Sequence, residues 1–382
     1  MLKFKASFLT RETLTKGITL LAVLTTLSGC NLANSTESNL QNKVAQSGLN
    51  QSKQTKSEEE SEWQEIGELP LPLESHKMIA LGEFAYVLGG WNDQKGPYSD
   101  VFFTSLNSPK TLNNWKPTQV KMPLRLQHHA VITHNKAIYV LGGDNGFGEN
   151  LPVSDRILRA VPNDQGDITE WVDVGKLPQP LTIHAVSLVD DRLYVFGGSS
   201  TFAPNSKILN TVYTATISST GNISSWQEFD PLKTPIGWQT TTAIGRHIFA
   251  VSGKSQFSPS KLTNTISRSS TLIEGSLSNF RPIGKTTPRE RHATVKIDQT
   301  LVVIGGGGEK AVLTDVEAIA IDQKGNLIEQ KALSPLPEPR YAHAAFFHDD
   351  YIYVSGGFKS YGSNETSQKI FRLPFNSSLL DN

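Results

Sequence analysis

The sequence predicts an all-β fold, a six-bladed β-propeller with four antiparallel strands per blade and a ring closed by an N-terminal strand. Three recurrences carry this expectation. A small doublet returns at Gly89-Gly90, Gly142-Gly143, Gly197-Gly198, Ser252-Gly253, Gly305-Gly306 and Gly356-Gly357, with first members 53, 55, 55, 53 and 51 residues apart. Thirteen residues before each first member stands His76, His129, His184, His292 or His343, with Gln239 in the fourth copy. An aromatic recurs at Trp63, Trp115, Trp171, Trp226 and Phe280, spaced by 52, 56, 55 and 54 residues. Self-similarity at such a period is the mark of blade or solenoid arrays.

Within each unit the strands are legible. An apolar run precedes each doublet, as in Tyr86-Val87-Leu88, Tyr139-Val140-Leu141 and Tyr194-Val195-Phe196. A short polar pair such as Asp190-Asp191 or Asp349-Asp350 separates that run from the strand before it, which predicts a tight hairpin. Third strands are expected at 101–105, 157–161, 212–217, 270–274, 316–321 and 370–373, after loops of about 8–14 residues that are far longer than tight turns. Fourth strands carry the recurring aromatic. Trp63 precedes the first hairpin, and only a short tail follows residue 373. The segment 63–66 is therefore expected to supply the outer strand of the last blade. Four antiparallel strands in each of six units make a propeller, which buries both faces of every sheet and leaves only short edges.

The propeller is assigned to 63–378 and a tail to 379–382. Ahead of it, Lys3, Lys5, Arg11 and Lys16 flank an uncharged stretch, 17–27, of 11 residues. That is too short for a bilayer span of about 20 residues and fits a secretory signal. It ends Leu27-Ser28-Gly29-Cys30, which resembles the lipobox of bacterial lipoproteins, and Cys30 is the only cysteine of the 382 residues. The resemblance implies a signal peptide over 1–29 and lipidation of Cys30, with palmitate among the acyl chains. Asn31, rather than Asp, follows the cysteine. That favours the outer membrane or cell surface of a bacterial envelope over the inner membrane. Residues 30–62 are rich in Ser, Asn, Gln, Lys and Glu and lack aromatics, so they read as a tether.

Composition excludes several classes. The chain balances 36 basic against 36 acidic side chains, against phosphate-neutralising nucleic-acid binding. One cysteine excludes a disulfide framework or a thiolate metal cluster. The recurring histidines read as strand residues hydrogen-bonded within their own blades, and no metal site or cofactor is expected. The run Gly305 to Lys310 lacks the Gly-Lys-Ser/Thr of a phosphate loop and leads into a strand.

The repeats resemble kelch repeats: an apolar run closing on Gly-Gly, the spaced aromatic, and Pro-Arg-x-x-His-Ala, present in full at 288–293 and 339–344. The resemblance spans 63–378. It implies a binding module for a protein or carbohydrate ligand on the loop face, in a monomer. It also implies that Arg289 and Arg340 face that ligand, joined by the loop aromatics Trp91 and Tyr98 and by Arg125; local pairing of the arginines with Glu290 or Glu338 is the alternative. Other loop aromatics are Phe147, Phe202, Phe257, Phe358 and Tyr361. No catalytic residue is assigned. Kelch-type sialic acid mutarotases of the bacterial envelope supply an enzymatic alternative, with Glu309, Glu290 and Arg289 as its local candidates, and a structural envelope component is a third reading.

Overall fold

The computed structural model describes residues 62–107, 111–148, 151–203, 205–362 and 365–375. Cys30, the expected signal at 1–29, all but the end of the tether and the tail at 379–382 lie outside these residues.

Six four-stranded antiparallel sheets follow one another along the chain. The first contains Lys77–Leu81, Phe84–Leu88, Val101–Ser105 and Lys116–Pro117, from inner to outer strand. The second contains Ala130–His134, Ala137–Leu141, Arg156–Ala160 and Val172–Lys176. The third contains Ala185–Val189, Arg192–Phe196, Val212–Thr216 and Gln227–Glu228. The fourth contains Thr240–Ile244, His247–Gln256, Lys261–Ser270 and Arg281–Lys285, and the fifth Ala293–Ile297, Thr300–Ile304, Val316–Ile321 and Leu327–Ala332. The sixth joins Ala344–His348, Tyr351–Ser355 and Lys369–Pro374 to Gln64–Glu68 from the other end of the chain. Each inner strand touches those of both neighbouring blades, so the ring is closed.

Every inner hairpin turns in two residues, and the first of the two has positive φ: Gly82, Asn135, Asp190, Gly245, Asp298 and Asp349. Glycine, Asn and Asp are the residues that tolerate this left-handed backbone, which matches the twist of the strands. The recurring aromatic sits immediately before five of the six outer strands, and Asn326 holds that place in blade five. Trp63 shows its use: Nε1 donates to the Ser334 carbonyl at 2.9 Å, pinning the sixth blade to the fifth.

The repeat histidines work between blades rather than within them, which corrects the sequence reading. His76 of the first blade hydrogen-bonds Ser355 of the sixth, and His292 of the fifth hydrogen-bonds Thr240 of the fourth. The His184 ring packs on Gly142 of the preceding blade, where a Cβ would lie 2.8 Å from its Cε1 and 2.4 Å from the Leu181 carbonyl oxygen. Gly142 also has φ of +60°, so this slot excludes any side chain twice over. Burial lowers the pKa of the His76, His184 and His343 rings from 6.5 to about 3, so they are neutral inside the ring.

Blade four departs from expectation. Its third strand is Lys261–Ser270, not 270–274, and 273–275 form a 3-10 turn. The expected long loop after the doublet is instead an extended ten-residue hairpin arm on each side. Ser252-Gly253-Lys254 stays in the ladder with register shifts around it, so pairing continues where the glycine doublets of other blades end it.

Candidate functional site

One residue per blade forms a collar around the ring axis: Ser75, His128, Ile183, Trp238, Arg291 and Ala342. Each stands directly before the repeat histidine or Gln239, and each has φ between 49° and 57°. Their backbones are linked around the ring. Ser75 N–H donates to the Ala342 carbonyl (2.8 Å), Ala342 to Arg291 (2.8 Å), Arg291 to Trp238 (3.4 Å), Trp238 to Ile183 (2.9 Å) and Ile183 to His128 (3.3 Å). Just outside this collar, isolated β-bridges pair Glu74 with Trp91, Gln127 with Asp144, Thr182 with Ser199, Gly237 with Lys254, Glu290 with Gly307 and Tyr341 with Phe358. The backbone is therefore the same in all six blades, while the side chains it presents to the channel mouth differ. Loops and collars of this kind, fixed by a rigid frame, are where recognition concentrates.

The Arg291 guanidinium lies 4.3 Å from the Trp238 ring centre and 5.9 Å from that of Tyr341. Among the described residues it has no ion-pair partner, and its Nε is buried without a hydrogen bond. Around it the loop aromatics converge: Phe147 on Phe202 (5.2 Å between centres), Phe202 and Phe257 on Trp238 (6.0 and 5.4 Å), and Phe358 and Tyr361 on Tyr341 (5.3 Å each). Lys254 pairs with Glu290 at 3.0 Å beside Trp238.

Buried carboxylates adjoin this cluster: the His128 ring, which bonds Asp144, lies 4.9 Å from the Phe202 ring centre and 5.9 Å from that of Trp238. Asp144 is fully buried and accepts from Gln127 Nε2 (2.8 Å), His128 Nδ1 (2.9 Å), Thr182 Oγ1 (2.5 Å) and the Gly146 N–H (3.1 Å). Its lone pairs are consumed in bracing blades two and three. Glu74 accepts only from its neighbour Ser75 among the side-chain bonds described. Burial pushes the Glu74 carboxyl above its ordinary pKa, and the neighbouring His128 and Arg291 side chains pull it back.

The expected arginine pair is not at this surface. Arg289 and Arg340 are both 0 % exposed. They occupy the position that Leu73, Leu126 and Leu181 fill in other blades, and those leucines are core residues. Each guanidinium turns its Nη1 to the carbonyl of the first glycine in its own blade, Gly305 or Gly356, at 2.8 Å. Arg289 Nη2 pairs with Glu317 (2.5 Å) and Arg340 Nη2 with Glu338. The expectation that these side chains are exposed is thus corrected: the motif arginine is buried because its slot faces inward between strands. Arg125 donates to the carbonyls of Pro97 and Lys95 at 2.7 Å each and fastens the first blade's loop. Trp91 is half-buried beside Glu74, and Tyr98 packs on the core of blades one and six. The local trio Glu309, Glu290 and Arg289 is not assembled, since Glu309 is exposed, Glu290 holds Lys254 and Arg289 is sealed in the core.

Sequence reading missed Glu74, His128, Trp238, Arg291 and Tyr341. The signal was present: each lies one or two places before a repeat His or Gln239, a fixed register in which residue type changes from blade to blade.

Fold and collar together define a six-bladed propeller built from a repeat with a buried His and a glycine doublet. The chain belongs to the kelch-repeat family. A family model, the KLHDC2/KLHL20/DRC7 Kelch-repeats domain, matches residues 75–264. Beta-scruin of Limulus polyphemus is 22% identical over 280 residues, 72% of this chain and 29% of that protein. The leucine-zipper-like transcriptional regulator 1 homolog of Drosophila melanogaster is 24% identical over 296 residues, 74% of this chain and 29% of that protein. This chain thus spans less than a third of the length of either relative. The solved structure of YjhT superposes with a TM-score of 0.63 at 12% identity, covering 80% of this chain and 95% of that one.

Proposed function

We propose that this chain is a lipid-anchored protein of the bacterial envelope whose propeller binds a partner protein at the channel mouth. A carboxylate of the partner seats on Arg291. The observation that carries this is the Arg291 guanidinium, stacked on Trp238 and without an ion-pair partner among the described residues. A planar cation so held presents two parallel N–H donors to a carboxylate at little entropic cost. The exposed rings of Phe147 and Tyr361, 58% and 45% accessible, flank the mouth and offer apolar anchors. Kelch propellers act as protein-interaction modules, which fits this arrangement. The Leu-Ser-Gly-Cys run supports the anchor.

A photo-crosslinking residue in place of Phe147 or Tyr361 tests the reading in cells. Both positions should capture the same protein, and Arg291→Ala should abolish capture. A crosslinker at Ile328, exposed on the outer strand of blade five, should not capture it. Capture from Ile328 alone, or capture indifferent to Arg291, would refute the site. A second reading, acid–base chemistry on a sugar, is favoured by Glu74, whose burial raises its carboxyl toward the range useful to a general acid. It requires turnover that Glu74→Gln removes.

A further inference from the structure

The seam between blades three and four is cut away. In each blade the second-strand residue two before the doublet faces the preceding blade and pairs across to the third strand. The pairs are Val87 with Phe102, Val140 with Leu158, Val195 with Tyr213, Val303 with Glu317 and Val354 with Phe371. In blade four the pair is Ala250 with Ser267. The five valines are buried, whereas Ala250 is partly open. The volume lost at this pair is not filled by a neighbour, and a cavity of 690 Å³ lies there. Small-molecule sites typically span about 300–1,000 Å³.

Its walls say what it takes. Val212, Phe229, Leu232, Leu277 and Phe280 give apolar surface from both blades. Thr263, Thr265, Ser267 and Ser278 add hydroxyls, which both donate and accept. The charged lining residues Glu228, Asp230 and Lys233 lie at the rim, where Glu228 is exposed, so charge is kept out of the interior. Ser252 also lines the cavity. It is 1 % exposed, and its Oγ has no hydrogen-bond partner among the described residues. Ser252 stands where the other blades have the first glycine of the doublet, with φ of 46°. A serine held in left-handed backbone, with a buried hydroxyl unsatisfied, costs stability twice.

We infer that this cleft is a binding site for an uncharged amphipathic small molecule, with an apolar ring or acyl body and a hydroxyl or carbonyl group that meets the partly open hydroxyl residues Thr265 and Ser267. An ionised ligand group would be desolvated against walls that offer it no counter-charge. The site lies on an inter-blade seam and is independent of the channel mouth.

The uncharged naphthyl ketone prodan is a direct probe on the purified protein. Its emission should shift to the blue and saturate at one equivalent. Ala250→Val combined with Ser267→Tyr restores the pair found in blade three. It should weaken binding at least about 20-fold while leaving the melting temperature equal or higher, as expected for filling a cavity. Thr265→Val removes one hydroxyl from the wall at nearly constant size, and should weaken prodan about 3- to 10-fold through loss of one hydrogen bond. Arg291→Ala should leave prodan binding unchanged, which separates this site from the mouth. Absence of saturable binding to the wild-type protein, or binding within threefold of wild type in both cavity variants, would overturn the inference.

Discussion

His76 Nε2 and Ser355 Oγ lie 2.9 Å apart, although 279 residues separate them in sequence. This contact joins the first blade to the last in the interior of the ring, where burial keeps the imidazole uncharged. The acid stability of the protein follows. Folded His76, His184 and His343 titrate near 3, chiefly because burial disfavours the cation, whereas unfolded histidine titrates near 6.5. Acid protons therefore bind the unfolded chain first. The stabilisation is fully present above pH 6.5 and is lost as pH falls toward 3, by about 1.4 kcal/mol per pH unit for each such ring. Circular dichroism against denaturant at several pH values should show this slope. His184→Gln, which copies Gln239 of blade four, should reduce it by about one proton. An unchanged slope would mean that this ring does not titrate on unfolding.

The ring also closes at its rim, through Gln64–Glu68 paired with Lys369–Pro374. Ile66 of that strand is 5 % exposed in the core shared by the first and last blades. Ile66→Asp should cost about 3 kcal/mol or more, since it buries a charge where an aliphatic side chain was. Thermal melting reads the loss directly. A melting temperature equal to wild type would mean that the strand contributes nothing to closure.

Arg340 should behave as a core residue. Its removal leaves the Gly356 carbonyl without this donor and the Glu338 carboxylate without its buried partner. Loss of one member of such a pair costs about 3–5 kcal/mol in buried settings. Arg340→Ala should therefore lower stability by about 3 kcal/mol, and Arg289→Ala similarly through Gly305 and Glu317. Denaturant midpoints within error of wild type would contradict this assignment.

For the anchor, the expected outcome is that Cys30→Ser leaves the protein soluble after cell breakage, or stalls its processing. A variant that still sediments with membranes after a high-salt wash would remove lipidation from the account.

The repeat period made the blade count and ring closure readable before any coordinates, because glycine doublets, histidines and rings are fixed by backbone geometry shared by all six units. The third strand of blade four was not readable: Ser252-Gly253-Lys254 looks like a decayed doublet, and only pairing shows that the strand runs through it. The site was half legible. Phe147, Phe202, Phe257, Phe358 and Tyr361 do gather at the mouth. Arg289 and Arg340 were misplaced because a charged residue in a motif suggests a surface. The leucines at the same register were the better guide to their burial. Arg291, two places on from Arg289, was marked only by its fixed place before a repeat histidine, since its register carries no common residue type.

The most direct test of the channel mouth is calorimetric titration of the captured partner into wild-type protein, Arg291→Ala and Arg291→Lys. Loss of a central ion pair of this kind costs about 2 kcal/mol or more, so Arg291→Ala should raise Kd about 30-fold or more. Lysine should restore only part of that, because an ammonium cannot present the paired donors of a guanidinium or its flat face to Trp238. Melting temperatures should change little, since Arg291 holds no ion pair within the described chain. A Kd for Arg291→Ala within threefold of wild type would contradict the assignment of this side chain as the grip of the site.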